Sequence, residues 1–277
     1  MTRAPSLDGR RFRAATPVLA MTAKPFPLAR HSATLAWRSL VNTRRTPEAL
    51  IDVTLQPVLF LLIFTYIFGG AIAHGSQHDY LQFLLPGLLG QSIALGGVAI
   101  GVNLSRDLEK GIFDRFRSLP IARSAPLVGA VLADVVRYTI LTVVMLAFGY
   151  VLGFRAQTGI LSVAAACLLG IAFALCLCWI SVWIGMLART SGAVQGITML
   201  IVFPLSFGSN TFVDPSTLPG WLEWFANVNP LSQLVGAVRA LLIGGPAGEH
   251  VLWTFVSMAA LLVVFVPLAL RAYGRRA

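Results

Sequence analysis

Long apolar runs separated by short polar punctuation set the pattern of this chain. Almost uncharged stretches predict helical spans over residues 50–73, 80–104, 126–154, 160–187, 193–212 and 251–270. Each is near the roughly 20 residues that a helix needs to cross about 30 Å of hydrocarbon. The short alternating strands of a closed barrel are missing, so helices remain as the backbone form that satisfies its own polar groups in lipid. The predicted fold class is an all-α membrane protein with six transmembrane helices. Gly97 and Gly101, four residues apart in the second span, predict a close approach between helix backbones.

Two apolar segments do not fit the spanning pattern. Over residues 28–41, Leu28, Leu35 and Trp37 mix with Arg30, His31 and Arg38, which predicts a helix lying among lipid headgroups, with Pro47 turning the chain into the bilayer. Between the fifth and sixth spans, Trp221, Trp224 and Phe225 precede the run 230–243, which is too long for a turn and too apolar for a solvated loop. Tryptophans in that setting sit at the membrane interface, and a pair of short helices dipping into the outer leaflet would satisfy the backbone.

Charge refines the picture. The chain is 57% hydrophobic and 12% charged, with a mean hydropathy of +0.79 and a net charge of +10. A basic balance can mean nucleic acid, but here the distribution points to membrane topology. Nine Lys and Arg precede the first span, five lie within residues 106–123, Arg189 follows the fourth span and three follow the sixth. The opposite loops hold only Arg155 and Arg239. The positive-inside bias therefore places both termini in the cytoplasm of a multi-pass inner-membrane protein, with further attraction to anionic lipid. Residues 1–25, where Arg3, Arg10, Arg11 and Arg13 mix with Pro, Ser and Thr, read as a disordered cytoplasmic tail, and residues 26–277 as one membrane domain. Arg10, Arg11 and Phe12 loosely resemble a twin-arginine signal, but the apolar stretch behind them is short and broken by Pro17.

The exception to the apolar pattern is residues 106–120, RDLEKGIFDRFRSLP. Read as a helix from Gly111, it gathers Ile112, Phe113, Phe116 and Leu119 within an arc of about 120°, leaving Asp114, Arg115 and Arg117 outside it. Pro120 ends it. Periodicity alone leaves two readings open, a helix resting on lipid and a docking surface for a protein.

No enzyme constellation accompanies these features. HExxH and GxSxG do not occur, and Ser92 in GQSIA lacks the second glycine of a nucleophile elbow. GxxxxGK[ST] does not occur either, so a phosphate cradle, and with it ATP and Mg, would have to come from another chain. Cys167, Cys176 and Cys178 lie in one apolar run without companion ligands and read as small packing residues. Asp134 and Arg137, spaced to pair on one face of the third span, admit a proton or ion relay, but a structural pair near the inner headgroups is the stronger reading. Asp52 and Gln56, near the inner end of the first span, are read the same way.

Beside these readings, two separated motifs resemble the ABC type-2 exporter permeases. One is Glu109, Lys110, Gly111, Ile112, Phe113, Asp114 and Arg115 followed by Leu119 and Pro120. The other is FPLSFGSNTFVDPSTLPGWLEWFANVNPLSQLVGAVRALL, with Pro204, Ser209, Pro219, Trp221, Asn229, Pro230 and Arg239. Within that family the likeness is to the daunorubicin-resistance-type permeases. The resemblance implies a non-enzymatic permease subunit that pairs with a second copy and with two ATPase subunits carrying ATP and Mg. It implies that residues 111–119, with Phe116 beside Phe113 on the apolar face, form the ATPase-coupling helix. The segment 28–41 would be the interfacial connecting helix, and residues 221–243 the outer re-entrant helices. The expected activity is efflux of a hydrophobic or amphipathic compound, a drug-like molecule conferring antibiotic resistance or a lipid. Export of a lipid-linked polysaccharide is the alternative within the family, and an ion-coupled secondary transporter using Asp52, Asp134 and Arg137 the alternative outside it.

Overall fold

A computed structural model describes residues 47–69, 77–111 and 125–276. Among them, every regular element is helical. In chain order these are α1 (Pro47–Ile63), continued by a π-helical turn Phe64–Phe68, α2 (Gln77–Gly96), α3 (Val98–Glu109), α4 (Ala125–Leu152), α5 (Ile160–Leu187) and α6 (Ser191–Phe207). A 3-10 turn Pro215–Thr217, α7 (Gly220–Val228), α8 (Pro230–Ile243) and α9 (Gly248–Arg276) complete the order. The expected interfacial helix with Leu28, Leu35 and Trp37, and the expected coupling residues Ile112, Phe113, Asp114, Arg115, Phe116 and Leu119, lie outside the described residues.

Among the described residues, four helices are long and apolar enough to cross a membrane: Gln77–Glu109, Val128–Leu152, Ile160–Leu187 and Gly248–Gly274. The first and fifth expected spans are shorter apolar helices, Thr54–Ile67 and Ser191–Phe207. The fifth stops well before the predicted residue 212. Gly208 N bonds back to Pro204 O at 2.8 Å, and the small polar residues after it turn the chain away. The second apolar helix instead runs past its predicted end at residue 104, as α3, to Glu109. Arg106, Asp107 and Glu109 therefore occupy the last turns of a membrane helix and not a separate loop.

The core is built around α5, which packs against α2, α3, α4, α6, α8 and α9. Burial ranks the helices: the most apolar window of Gln77–Glu109 is 78% buried, that of Gly248–Gly274 only 6%, so α2 and α3 are central and α9 is peripheral. Small residues permit this. A Cβ on Gly185 of α5 would stand 2.7 Å from Gly101 O of α3, and a Cβ on Gly101 would collide with Ser181 O. Gly97, one turn along, faces Cys178 at 3.6 Å on the same seam, so the predicted glycine spacing meets a matching line of small residues on α5. Cys176 and Cys178 are buried free thiols, in keeping with packing roles.

The bundle has two distinct ends. At one, Thr158 Oγ1 and Gln157 N donate to Leu241 O at 2.6 Å and Leu242 O at 2.9 Å, joining the α4–α5 turn to the C-terminus of α8. At the other, Leu104, Met186, Ala272 and Tyr273 form a cluster between α3, α5 and α9. Arg106, Lys110, Arg189 and Arg271 lie at this second end.

Candidate functional site

The charged stretch at the end of α3 begins from a helix that cannot continue. Lys110 caps α3, and Gly111 adopts φ +65°, a left-handed conformation that glycine takes without steric cost. Glu109, on the last turn, accepts a hydrogen bond from Ser191 N at 2.6 Å. Ser191 is the first residue of α6, whose amides are unpaired within the helix, so an anionic acceptor there meets both the orphan donor and the positive end of the dipole. Thr190 Oγ1 takes the next free donor, Ala193 N, at 3.3 Å. The two segments set apart in sequence, 106–111 and 189–191, thus form one surface through Glu109. Sequence reading had marked Glu109, Lys110 and Gly111 but not Ser191, since nothing in a serine beside Arg189 announces a partner 82 residues earlier.

Asp134 and Arg137 pair as their spacing predicts, with Arg137 Nη2 donating to Asp134 Oδ2 at 3.1 Å. The side chains are only 14% and 11% exposed, and the same Nη2 donates to Gly96 O at the junction of α2 and α3. Arg137 therefore reaches into the bundle. Gln56 on α1 is exposed; the side chain of Asp52 is outside the described ones.

At the opposite end, the residues 204–239 assemble into a cap. Asn229 Oδ1 accepts from Leu231 N at 2.9 Å, capping α8 with Pro230 at its first position, while Asn229 Nδ2 donates to Leu205 O at 2.7 Å. One side chain thereby starts α8 and holds it to α6. Arg239 Nη2 donates to Phe83 O at 3.2 Å and Asn210 O at 3.0 Å, and its guanidinium lies 3.8 Å over the Phe83 ring. Ser232 Oγ accepts from Asn210 N at 3.2 Å, and Ser209 bonds Ser206 O at 2.6 Å. Trp221 and Trp224 are exposed on α7, as interfacial tryptophans would be. The Asp214 carboxyl accepts from Ser216 N and Ser216 Oγ, which holds it below its ordinary range and fixes the Pro215–Thr217 turn. Sequence reading named Ser209, Asn229, Pro230 and Arg239 here; Phe83 and Ser232 were not visible, because their contacts are made across separate helices.

The described residues hold no group of His, Cys, Asp and Glu that could bind a metal ion. Polar chemistry in the described bundle centres on the Gly96–Arg137 junction and the two ends, with apolar helices between. That is the organisation of a polytopic membrane protein. Residues 31–243 match the family model of the ABC-2 type transporter, and the chain belongs to that family. It is 40% identical, over 94% of its length and 92% of the relative's, to the daunorubicin resistance ABC transporter permease protein DrrB1 of Streptomyces coeruleorubidus. It is 27% identical, over 84% of each chain, to the probable doxorubicin resistance ABC transporter permease protein DrrC of Mycobacterium tuberculosis (strain ATCC 25618 / H37Rv). A more distant likeness, 19% over 71% of this chain and 76% of the other, is to the inner membrane transport permease YadH of Escherichia coli (strain K12).

Proposed function

We propose that this chain is the membrane half of an ATP-driven exporter that moves planar amphipathic drug-like compounds out of the cell. Two permease chains, here copies of one another, would work with two separate ATPase subunits that carry ATP and Mg. The observation that carries this reading is the inner surface at Glu109. A charged segment leaves a central, 78% buried helix and is bonded directly to the start of α6, so a partner gripping that segment acts on the core of the bundle. The cargo class follows from the relatives' names, since daunorubicin and doxorubicin are flat aromatic ring systems bearing an amine. Six spans with both termini cytoplasmic agree with the basic residues at the Glu109 end, and α7 and α8 would then dip into the outer leaflet.

The test is daunorubicin accumulation in cells expressing the chain with its cognate ATPase. Accumulation falls several-fold with the intact ATPase and returns to the control level when the ATPase phosphate-loop lysine is replaced. Replacing Phe113 and Phe116 with Ala gives the same return while membrane insertion persists. Efflux that survives ATP depletion and collapses with the proton gradient would instead establish an ion-coupled transporter.

A further inference from the structure

We infer that α3 is a lever: its fulcrum is the Gly96–Gly97 junction, pinned by the Asp134–Arg137 pair, and Glu109 at its tip hands the lever's motion to α6. This rests on the reading that the charged segment after α3 docks an ATPase.

The apolar run Gln77–Glu109 is helical throughout, but its hydrogen-bond ladder loosens at Gly97, whose backbone stays helical at φ −64° and ψ −19°. Gly97 N is shared between Ile93 O at 3.3 Å and Ala94 O at 3.2 Å, a bifurcated and long arrangement that resists bending less than a regular ladder. The carbonyl just before that turn, Gly96 O, accepts from Arg137 Nη2. Asp134 compensates the guanidinium charge, which leaves a directed donor aimed at the junction. An ion pair inside a membrane helix is expensive, and an apolar pair of similar size fills space at least as well. Its place beside the loosened turn of the central helix is what a pin requires. The surroundings suit a pivot: Gly97 lies where a Cβ would be 3.6 Å from both Cys178 Cα and Tyr138 Oη, so the junction is flanked closely but without collision.

The other end of α3 is tethered. Its 12 residues span about 18 Å, so a rotation of about 10° at Gly97 moves the tip about 3 Å. That displacement exceeds the tolerance of a 2.6 Å hydrogen bond, so either α6 follows Glu109 or the bond from Ser191 N breaks. Because α3 also packs along α6, following is the cheaper course. Asp134, Arg137 and Glu109 are in this account positioning residues that act through α3.

The experiment places spin labels at Lys110 and Gln195, both exposed, and measures their distance distribution by pulsed electron resonance for the chain alone in lipid nanodiscs. The second readout is daunorubicin transported per ATP hydrolysed, with the ATPase present. A narrow distribution is expected for the parent and for Glu109→Gln, whose amide oxygen still accepts from Ser191 N. Glu109→Ala and the double variant Asp134→Leu with Arg137→Met, which leaves no lone buried charge, should broaden the distribution and lower transport per ATP at least fivefold. Unchanged width in both, or broadened width with an unchanged transport ratio, overturns the lever. Glu109 is exposed at a helix end, so Glu109→Ala decides the matter if the double variant does not fold. Failure of the ATPase to bind the parent chain would refute the docking reading while leaving the distance result intact.

Discussion

Gly185 and Gly101 meet backbone to backbone where α5 crosses α3, so closely that a Cβ on Gly185 would stand 2.7 Å from Gly101 O. Neither neighbour at that distance is a flexible side chain, so the crossing has no local way to absorb an added methyl.

Gly185→Ala is therefore expected to destabilise the bundle by about 1–3 kcal/mol, the usual cost of overpacking. Gly196→Ala on α6, where nothing lies within 4 Å, should be neutral or stabilising by up to about 1 kcal/mol through helix propensity. Thermal unfolding of the two variants in one detergent checks this; equal midpoints would show that the crossing can relax.

Asn229 joins two helices, and its loss should register in both. Asn229→Ala forfeits a helix cap, about 1 kcal/mol, and leaves Leu205 O without its donor, about 1–3 kcal/mol more. Asn229→Ser restores a capping oxygen but not the reach to Leu205, so it should fall between Ala and the parent. The midpoints in detergent order the three; Ser matching Ala would mean that the cap contributes nothing.

Topology is open to a direct check at two exposed positions of opposite ends. Single cysteines at Lys110 and Ser216, introduced after the native thiols are replaced, should label from opposite sides of sealed cells with an impermeant maleimide, Ser216→Cys from outside. Labelling of both from one side contradicts six spans.

Reading the chain found the elements better than their joints. The fourth span, residues 160–187, coincides with α5 because nothing polar interrupts it and Arg189 follows at once. The fifth was extended to residue 212 since Ser, Asn and Thr there interrupt hydropathy only weakly, whereas Gly208 closing on Pro204 ends the helix. The loosened turn at Gly97 is illegible for a similar reason: glycine at a small-residue seam reads as packing, and here its amide is also shared between Ile93 O and Ala94 O. Asp134 and Arg137 were legible as a pair because three-residue spacing is local, but their third partner, Gly96, comes from another helix.

The sequence by itself determined a helical membrane protein and the family to which its two motifs point. The first follows from hydropathy, which acts residue by residue against a bilayer of fixed thickness, and the second from residues at fixed spacing in two local motifs. Only the tertiary structure decided that Glu109 meets Ser191, that Arg137 holds Gly96 and that Arg239 rests on Phe83. Such contacts depend on the angle and depth at which helices cross, and those are set by the small residues at the crossings and by side-chain fit, not by the order of residues along either helix.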